Sequence, residues 1–332
     1  MSDSEPKMKY LVTGVAGFIA NRVADQLLSE GHVVVGIDNL NDYYNVSLKK
    51  WRLEQLQDKA GFQFAEGNIE NLSALQGLFD QTKFDAVINL AARAGVRYSM
   101  ENPHIYFSTN SQGNLNLLEL CRKHDVPKYV LASTSSLYAG QPMPFSEELP
   151  VNEPISPYAA SKKSAEVTAF TYNHLFDIDV SIVRYFTVYG PAARPDMSVF
   201  RFIHWIDNGI PIKMFGDGEQ SRDFTFVDDI AAGTVAALKP VGYEIINLGG
   251  GNQPTSMNSL IGVIESYLGK KAIVNRLPAH PADMKVTWAN IEKAERLLGW
   301  SPKISLDEGV HQSVEWYKSN LPWAATILDK LV

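Results

Sequence analysis

Cysteine is almost absent: Cys121 is the only one in 332 residues, so the chain can form no disulfide within itself. It sits in an apolar helical pattern, Leu117-Leu118-x-Leu120-Cys121, where packing is its expected role. No stretch approaches 18 consecutive apolar residues, which argues against a membrane span. Met1 to Lys9 is polar, unlike the hydrophobic segment of a secretion signal. There is no run of lysine or arginine, and 37 acidic against 30 basic side chains leave a formal net charge of -7. Nucleic acid and anionic membrane are therefore poor partners, while a local anion site stays open. The seven histidines show no His-x-x-x-His or comparable spacing, and no cysteine pair accompanies them. No metal site is expected. The reading is of a cytoplasmic enzyme with a short tail over residues 1–8, without internal repeat or low-complexity linker.

What is present begins with a strand, a glycine turn and a helix. Lys9–Thr13 is short and apolar, Gly14-Val15-Ala16-Gly17-Phe18-Ile19-Ala20 follows, and a helical pattern runs through Leu28. Gly14 permits the turn and Gly17 lets a diphosphate approach the backbone. The helix start then offers free N–H groups and its positive dipole end. A second strand, His32 to Ile37, ends in Asp38. A carboxylate there holds the two ribose hydroxyls of NAD and repels the extra phosphate of NADP.

Helices Val46–Gln57 and Leu72–Phe79 alternate with strands Phe62–Ala65 and Ala86–Leu90, and a long helix around Ile105–Lys123 precedes the strand Tyr129–Ala132. Such alternation implies right-handed crossovers and a parallel sheet covered on both faces, a Rossmann-type doubly wound α/β fold. Ligands in these sheets lie outside the carboxyl ends of the strands. That rule selects Gly67-Asn68-Ile69, Ala91-Ala92-Arg93, Ser133-Thr134-Ser135-Ser136, and Phe186-Thr187 after the strand Val180–Tyr185.

Beyond Gly190-Pro191 the pattern loses regularity. Asp196 reads as the cap of a helix Met197–Asn208, followed by a strand Arg222–Phe226, a helix from Asp228 and a strand near Tyr243–Leu248. A helix Ser256–Leu268, a strand near Ala272–Asn275 and helices around Asn290–Leu298 and Leu306–Lys318 complete a smaller lobe. The expected division is 9–190 for the dinucleotide domain with the catalytic residues and 191–332 for a smaller C-terminal α/β substrate-binding lobe. The strand Tyr243–Leu248 is apolar enough to return to the main sheet, and Gly249-Gly250-Gly251 reads as a loop.

The stretch Ser156 to Lys163, S-P-Y-A-A-S-K-K, carries the chemistry. Tyr158 and Lys162 are four residues apart and share a helical face. A phenol, with a pKa of about 10, is a poor base at neutral pH. One positive charge at roughly 4 Å in an effective dielectric near 20 is worth about 4 kcal/mol, on the order of three pKa units. The expectation is that Lys162 brings a Tyr158 tyrosinate within reach of pH 7.

The glycine turn, Asp38, Ser133-Thr134 and Tyr158-x-x-x-Lys162, in this order, resemble the extended short-chain dehydrogenase/reductase family, specifically its nucleotide-sugar epimerases and dehydratases. The resemblance implies NAD as cofactor, bound by Gly14, Gly17, Phe18, Ile19, Asp38, Asn39, Asn68, Ile69, Leu90, Ala91 and Ala92. Lys162 would also hold the nicotinamide ribose, Tyr185 would contact the nicotinamide, and Asn110 would order the nearby backbone. Thr134, Tyr158 and Lys162 would be catalytic. Dehydratases of the family carry Asp-Glu where Ser135 and Ser136 stand, and decarboxylases carry Glu at Ser136. This chain has neither carboxylate, which favours epimerisation over elimination.

Arg184-Tyr185-Phe186-Thr187-Val188-Tyr189-Gly190-Pro191 with Arg194-Pro195-Asp196-Met197, Ala94 to Ser99 and Asp38 to Tyr44 are similar to the UDP-glucuronate 4-epimerases of that family. This implies inversion at C4 of UDP-glucuronic acid to UDP-galacturonic acid. Arg194, with Thr187, Ser135 and Ser136, would grip the sugar carboxylate as a charged fork. Arg222 would bind the diphosphate, Asp283 the ribose, and Lys213, Met214 and Phe215 the uracil, with Arg97 and Val199 also on the substrate. The rivals are a decarboxylase or dehydratase-type lyase, a 4-epimerase of neutral UDP-hexoses, and a non-catalytic NAD-binding protein. Ala20, Asn68, Arg93, His280 and Ala282 depart from the usual pattern. The helices Ile105–Lys123 and Ser156–His174 resemble the pair that forms a four-helix dimer contact, so a homodimer is expected.

Overall fold

The computed structural model describes residues 6–278 and 284–330. In the first half, β1 (Lys9–Thr13), α1 (Phe18–Ser29), β2 (Val33–Asp38), α2 (Val46–Gln57), β3 (Phe62–Glu66), α3 (Leu72–Gln81) and β4 (Ala86–Asn89) alternate in order. A short helix, α4 (Val96–Glu101), precedes the long helix expected around Ile105–Lys123, which is helical throughout: α5 (Pro103–Tyr106), a π-helical turn over Phe107–Gln112 and α6 (Gly113–Lys123). The wide turn contains Asn110, whose amide bonds the backbone of Arg93 and the Ser161 hydroxyl. Single π turns inside helices are characteristic of functional sites.

Strand β5 (Lys128–Thr134) runs two residues further than expected, so Ser133 and Thr134 are strand residues rather than loop. A 3₁₀ turn over Ser135–Tyr138 follows, and α7 (Pro157–Phe176) then starts cleanly. Ser156 Oγ accepts the Ala159 N–H at 3.2 Å and Pro157 fills the first turn, both favoured devices at a helix start. Next come β6 (Asp179–Tyr185) and β7 (Thr187–Tyr189).

The second half comprises α8 (Ser198–Asp207), β8 (Ile212–Phe215), β9 (Ser221–Arg222), β10 (Phe224–Phe226), α9 (Val227–Ala236), β11 (Tyr243–Leu248), β12 (Thr255–Ser256), α10 (Met257–Leu268), β13 (Val274–Leu277), α11 (Glu292–Leu298), α12 (Leu306–Ser319) and α13 (Leu321–Ala324). Two expectations are corrected. Met197, not Asp196, is the N-cap of α8, because the Asp196 carboxylate is taken by Arg194. The strand expected over Arg222–Phe226 splits at Asp223, whose carboxylate accepts the N–H groups of Gly250 (2.6 Å), Ala289 (2.9 Å) and Gly251 (3.3 Å). The triple-glycine loop thus does cradle an anion, and it is the chain's own. A Cβ on Gly250 would collide with that carboxylate.

Seven strands form one parallel sheet in the order β11-β6-β5-β4-β1-β2-β3. β11, from the second half, joins it beside β6 with Leu248 opposite Tyr185. Alternate residues feed opposite faces. Val12, Ile88 and Val130 pack with α1, α2, α8 and α12, whereas Leu11, Val87 and Tyr129 pack with α3, α6 and α7. Strand order reverses between β1 and β4, which opens a crevice at their carboxyl ends. Among the described residues no helix is long and apolar enough to cross a membrane.

Candidate active site

A cavity of about 470 Å³ occupies that crevice. Its floor is the turn between β1 and α1. Gly14 has φ +72°, and a Cβ there would stand 2.9 Å from Ala91 Cα; one on Gly17 would stand 2.8 Å from Gly14 O. No side chain caps α1, so its first N–H groups face the cavity as an anion site. Asp38 is positioned by its own backbone neighbours, Oδ2 accepting the Ala16 N–H at 3.1 Å and Oδ1 the Leu40 N–H at 2.8 Å. Phe18, Ile19, Asn39, Asn68, Ile69, Leu90, Ala91 and Ala92 line the same cavity. These residues fit a dinucleotide. Asn110 is not on the wall. It accepts the Arg93 N–H at 2.8 Å and donates to Arg93 O and Ser161 Oγ, both at 2.9 Å, and so holds the wall from behind.

Thr134, Tyr158 and Lys162 reach the cavity from β5 and α7. Thr134 Oγ1 accepts the Ser136 N–H at 3.1 Å. Lys162, buried, donates from Nζ to Ala132 O at 2.9 Å, and burial holds its pKa down to about 8 against the pull of Glu166. The tyrosinate expectation is overturned for the protein without ligand. Burial raises the Tyr158 pKa, and the opposing influences are a hydrogen bond with Thr134 and the charge of Arg194 rather than Lys162. Tyr185 lines the cavity with its hydroxyl on Thr234 Oγ1 at 2.7 Å.

Ser135, Ser136, Thr187, Arg194 and Arg222 line the far part of the same cavity. The fork of Arg194 is already engaged, with Nε at 3.0 Å and Nη2 at 2.5 Å from the two oxygens of Asp196. Asp196 takes the Nε side of the guanidinium, which leaves the end-on edge, Nη1 with the second N–H of Nη2, as the fork that can meet a ligand. The Arg-x-Asp spacing was the sequence signal for this pair. Val199 and Met214 are buried in the core and Lys213 is exposed on β8. Arg97 stacks over Phe215 at 4.3 Å. None of these five is on the cavity wall. Asp283, His280 and Ala282 lie outside the described residues. Lys49, Asn41 and Tyr43 line the cavity and were not singled out in the sequence.

Residues 10–249 match the NAD dependent epimerase/dehydratase family. The chain belongs to this family. It is 58% identical over 312 residues, 94% of this chain and 97% of its relative, to the UDP-glucuronate 4-epimerase of Thermodesulfobacterium geofontis. The solved UDP-glucuronic acid 4-epimerase of Bacillus cereus, in complex with UDP-glucuronic acid and NAD, is 39% identical and superposes with a TM-score of 0.89, covering 94% of this chain and 100% of that one. A UDP-glucose 4-epimerase of Thermotoga maritima, solved with UDP-glucose, is 31% identical with a TM-score of 0.86 over 95% of this chain and 100% of that one.

In this epimerase/dehydratase chain α7, which carries Tyr158 and Lys162, is anchored by a buried ion pair. Glu166, one turn beyond Lys162, accepts from Arg184 Nε at 2.9 Å, Arg184 Nη2 at 2.7 Å and Ser133 Oγ at 2.6 Å. Arg184 also donates to the Tyr138 hydroxyl at 2.8 Å. The pair therefore ties α7, β5, β6 and the Ser135–Tyr138 turn together directly beneath the trio. Both side chains are 1% exposed. Glu166→Gln leaves a buried guanidinium unpaired and should cost about 3–5 kcal/mol in urea unfolding, whereas the double change E166L/R184M should recover most of it.

Proposed function

We propose that this protein interconverts UDP-glucuronic acid and UDP-galacturonic acid by NAD-dependent inversion at C4. The observation that carries the reading is one cavity in which Thr134, Tyr158 and Lys162 share walls with a dinucleotide turn while serines stand at positions 135 and 136. The wall then has an acid–base pair for a hydroxyl, while neither position 135 nor position 136 offers a carboxylate for elimination. The relatives named above are similar over nearly the whole chain, which supports the same substrate.

On this reading the roles are as follows. NAD+ bound by Gly14, Gly17, Phe18, Ile19, Asp38, Asn39, Asn68, Ile69 and Leu90 to Ala92 supplies a hydride acceptor and then a donor at C4. Tyr158 takes the proton of the 4-hydroxyl, Thr134 holds that oxygen and relays the proton, and Lys162 keeps positive charge beside them. Ser135, Ser136, Thr187 and the free end of the Arg194 guanidinium would meet the sugar carboxylate, and Arg222 the diphosphate. Residues 9–190 serve mainly the dinucleotide and 191–332 mainly the nucleotide sugar, with Lys213, Met214, Phe215 and Asp283 assigned to the uridine end, and Arg97 and Val199 to the substrate, by family likeness.

Proton NMR of purified protein with UDP-glucuronic acid tests the reading. UDP-galacturonic acid growing to an equilibrium mixture without net NADH is the expected result. A pentose product would overturn it in favour of a decarboxylase, and inertness with UDP-glucuronic acid but turnover of UDP-glucose would make it a neutral-sugar epimerase.

The same proposal makes the enzyme a cytoplasmic homodimer. Val167 (50% exposed) and Phe170 (48%) of α7 lie open, as does Phe107 (42%) of the π turn, an apolar face of the kind a second copy covers in an isologous contact. Light scattering should give twice the mass of 36.9 kDa, and a monomer mass would refute the dimer. The single thiol, Cys121, is buried and unpaired, which suits a reducing compartment.

A further inference from the structure

The cavity wall is basic although the chain is acidic. Among the described residues, Lys49, Arg93, Lys162, Arg194 and Arg222 line it against Asp38 and Asp196. Most of these cations have visible partners: Arg194 has Asp196, Lys162 has Ala132 O, Arg93 has Asn41 Oδ1 at 3.2 Å and Arg222 has Ser221 O at 2.9 Å. Lys49 differs. It is 4% exposed, and among the described residues its Nζ makes no hydrogen bond and no ion pair, lying 5.0 Å from the centroid of the Tyr44 ring. A lysine that merely covers apolar surface carries its ammonium out to water. This one carries it into the cavity.

The helix holding Lys49 is locked in place. Arg52, three residues on along the same buried stripe of α2, donates to Ala16 O at 3.0 Å, to the Tyr44 hydroxyl at 2.7 Å, and twice to Ala192 O at 3.1 and 2.7 Å. Its shell of carbonyls and a hydroxyl bolts α2 to the glycine turn and to the loop before Arg194. The Lys49 ammonium is therefore presented at a fixed place beside the turn. Arg52 is satisfied by these oxygens, whereas Lys49 meets only the face of the Tyr44 ring and the charge of Asp38, so its three N–H donors are open to an anion that enters the cavity.

Resting on the reading that this cavity holds NAD, we propose that Lys49 is a phosphate ligand of the bound dinucleotide, adding a full positive charge to the backbone N–H donors of the glycine turn. The charged groups facing it are Asp38, Arg52, Arg93 and Arg194, and burial holds its pKa down to about 8 with Asp38 opposing. Asp38, at the ribose position, places Lys49 at the dinucleotide end of the cavity rather than beside Tyr158. Dinucleotide affinity should accordingly fall as pH rises past about 8, since the free ammonium loses its proton there.

Calorimetric titration of nucleotide-stripped protein with NAD, NADP and UDP-glucuronic acid tests this on Lys49→Met and Lys49→Arg. A charged hydrogen bond of this kind should make K49M bind NAD and NADP roughly 10- to 100-fold more weakly, in equal proportion. UDP-glucuronic acid should bind within about twofold of wild type, and thermal stability should be kept because methionine suits the buried stripe. K49R should retain most NAD affinity and lose the part of the pH dependence that belongs to Lys49, while any part owed to Lys162 persists. Unchanged NAD affinity in K49M would overturn the proposal, as would a loss confined to NADP, which marks a 2′-phosphate, or to UDP-glucuronic acid, which marks a substrate group. Wild-type protein that binds no NAD would instead remove the reading of the cavity itself.

Discussion

Tyr158→Phe should lower kcat on the order of 10³-fold, within the range that a positioned general base contributes, while NAD and UDP-glucuronic acid bind nearly as in the wild type. The phenol ring keeps its packing against Tyr106, whose centroid is 6.1 Å away, so the change removes one oxygen and little else. What makes the expectation specific is the electrostatics. In the protein without ligand, burial keeps Tyr158 protonated beyond its ordinary pKa, and Lys162 sits near pH 8 with its ammonium on a backbone carbonyl. The productive pairing, tyrosinate beside ammonium, is thus a minority state at neutral pH until the cavity fills. Because a raised acid pKa means the proton is held to higher pH, wild-type phenolate absorbance should appear at lower pH after NAD+ is added, and this shift should be missing in Y158F. An equal shift in Y158F would assign it to another tyrosine and leave Tyr158 without the base role.

That the glycine turn, Asp38, Thr134, Tyr158 and Lys162 line one cavity was readable from the chain because the signals are local or follow one topological rule. The β1 turn and Asp38 stand at the ends of neighbouring strands with register Thr13 opposite Ile37, and Thr134 lies opposite Tyr185. Residues that end parallel strands must meet at one edge. The departures have a different origin, namely side chains whose partners are far away in sequence. Asn110 serves Arg93 and Ser161 from a π turn inside its helix, and Asp223 leaves its strand for Gly250 and Ala289. Lys162 satisfies the four-residue spacing with Tyr158 yet spends its hydrogen bond on Ala132 O. Periodicity reports which face a residue occupies and is silent on which polar group across the fold it meets.

Arg194→Ala should change the product as well as the rate. A 4-keto sugar bearing a C6 carboxylate is a β-keto acid, and it loses carbon dioxide fastest when the C5–C6 bond lines up with the carbonyl π system. Holding the carboxylate in another orientation is the protection available to a site that must pass through this ketone. Ser135, Ser136 and Thr187 are neutral donors on the wall, so the single charged group in this set is Arg194, whose free Nη1/Nη2 end is held in plane by the bonds of Nε and Nη2 to Asp196. Removing the guanidinium also leaves Asp196 facing the incoming carboxylate without its counter-ion. The change should weaken UDP-glucuronic acid binding by roughly 10- to 100-fold and release a UDP-4-ketopentose with carbon dioxide, visible in the same NMR assay, with one NADH left for each ketone released. Asp196→Asn should give a milder form of both effects, since the guanidinium stays but its orientation is less firmly held. Slower, clean epimerisation by R194A at unchanged affinity would show that the carboxylate is held elsewhere, with the two serines and Thr187 then sufficient to keep the C5–C6 bond out of line.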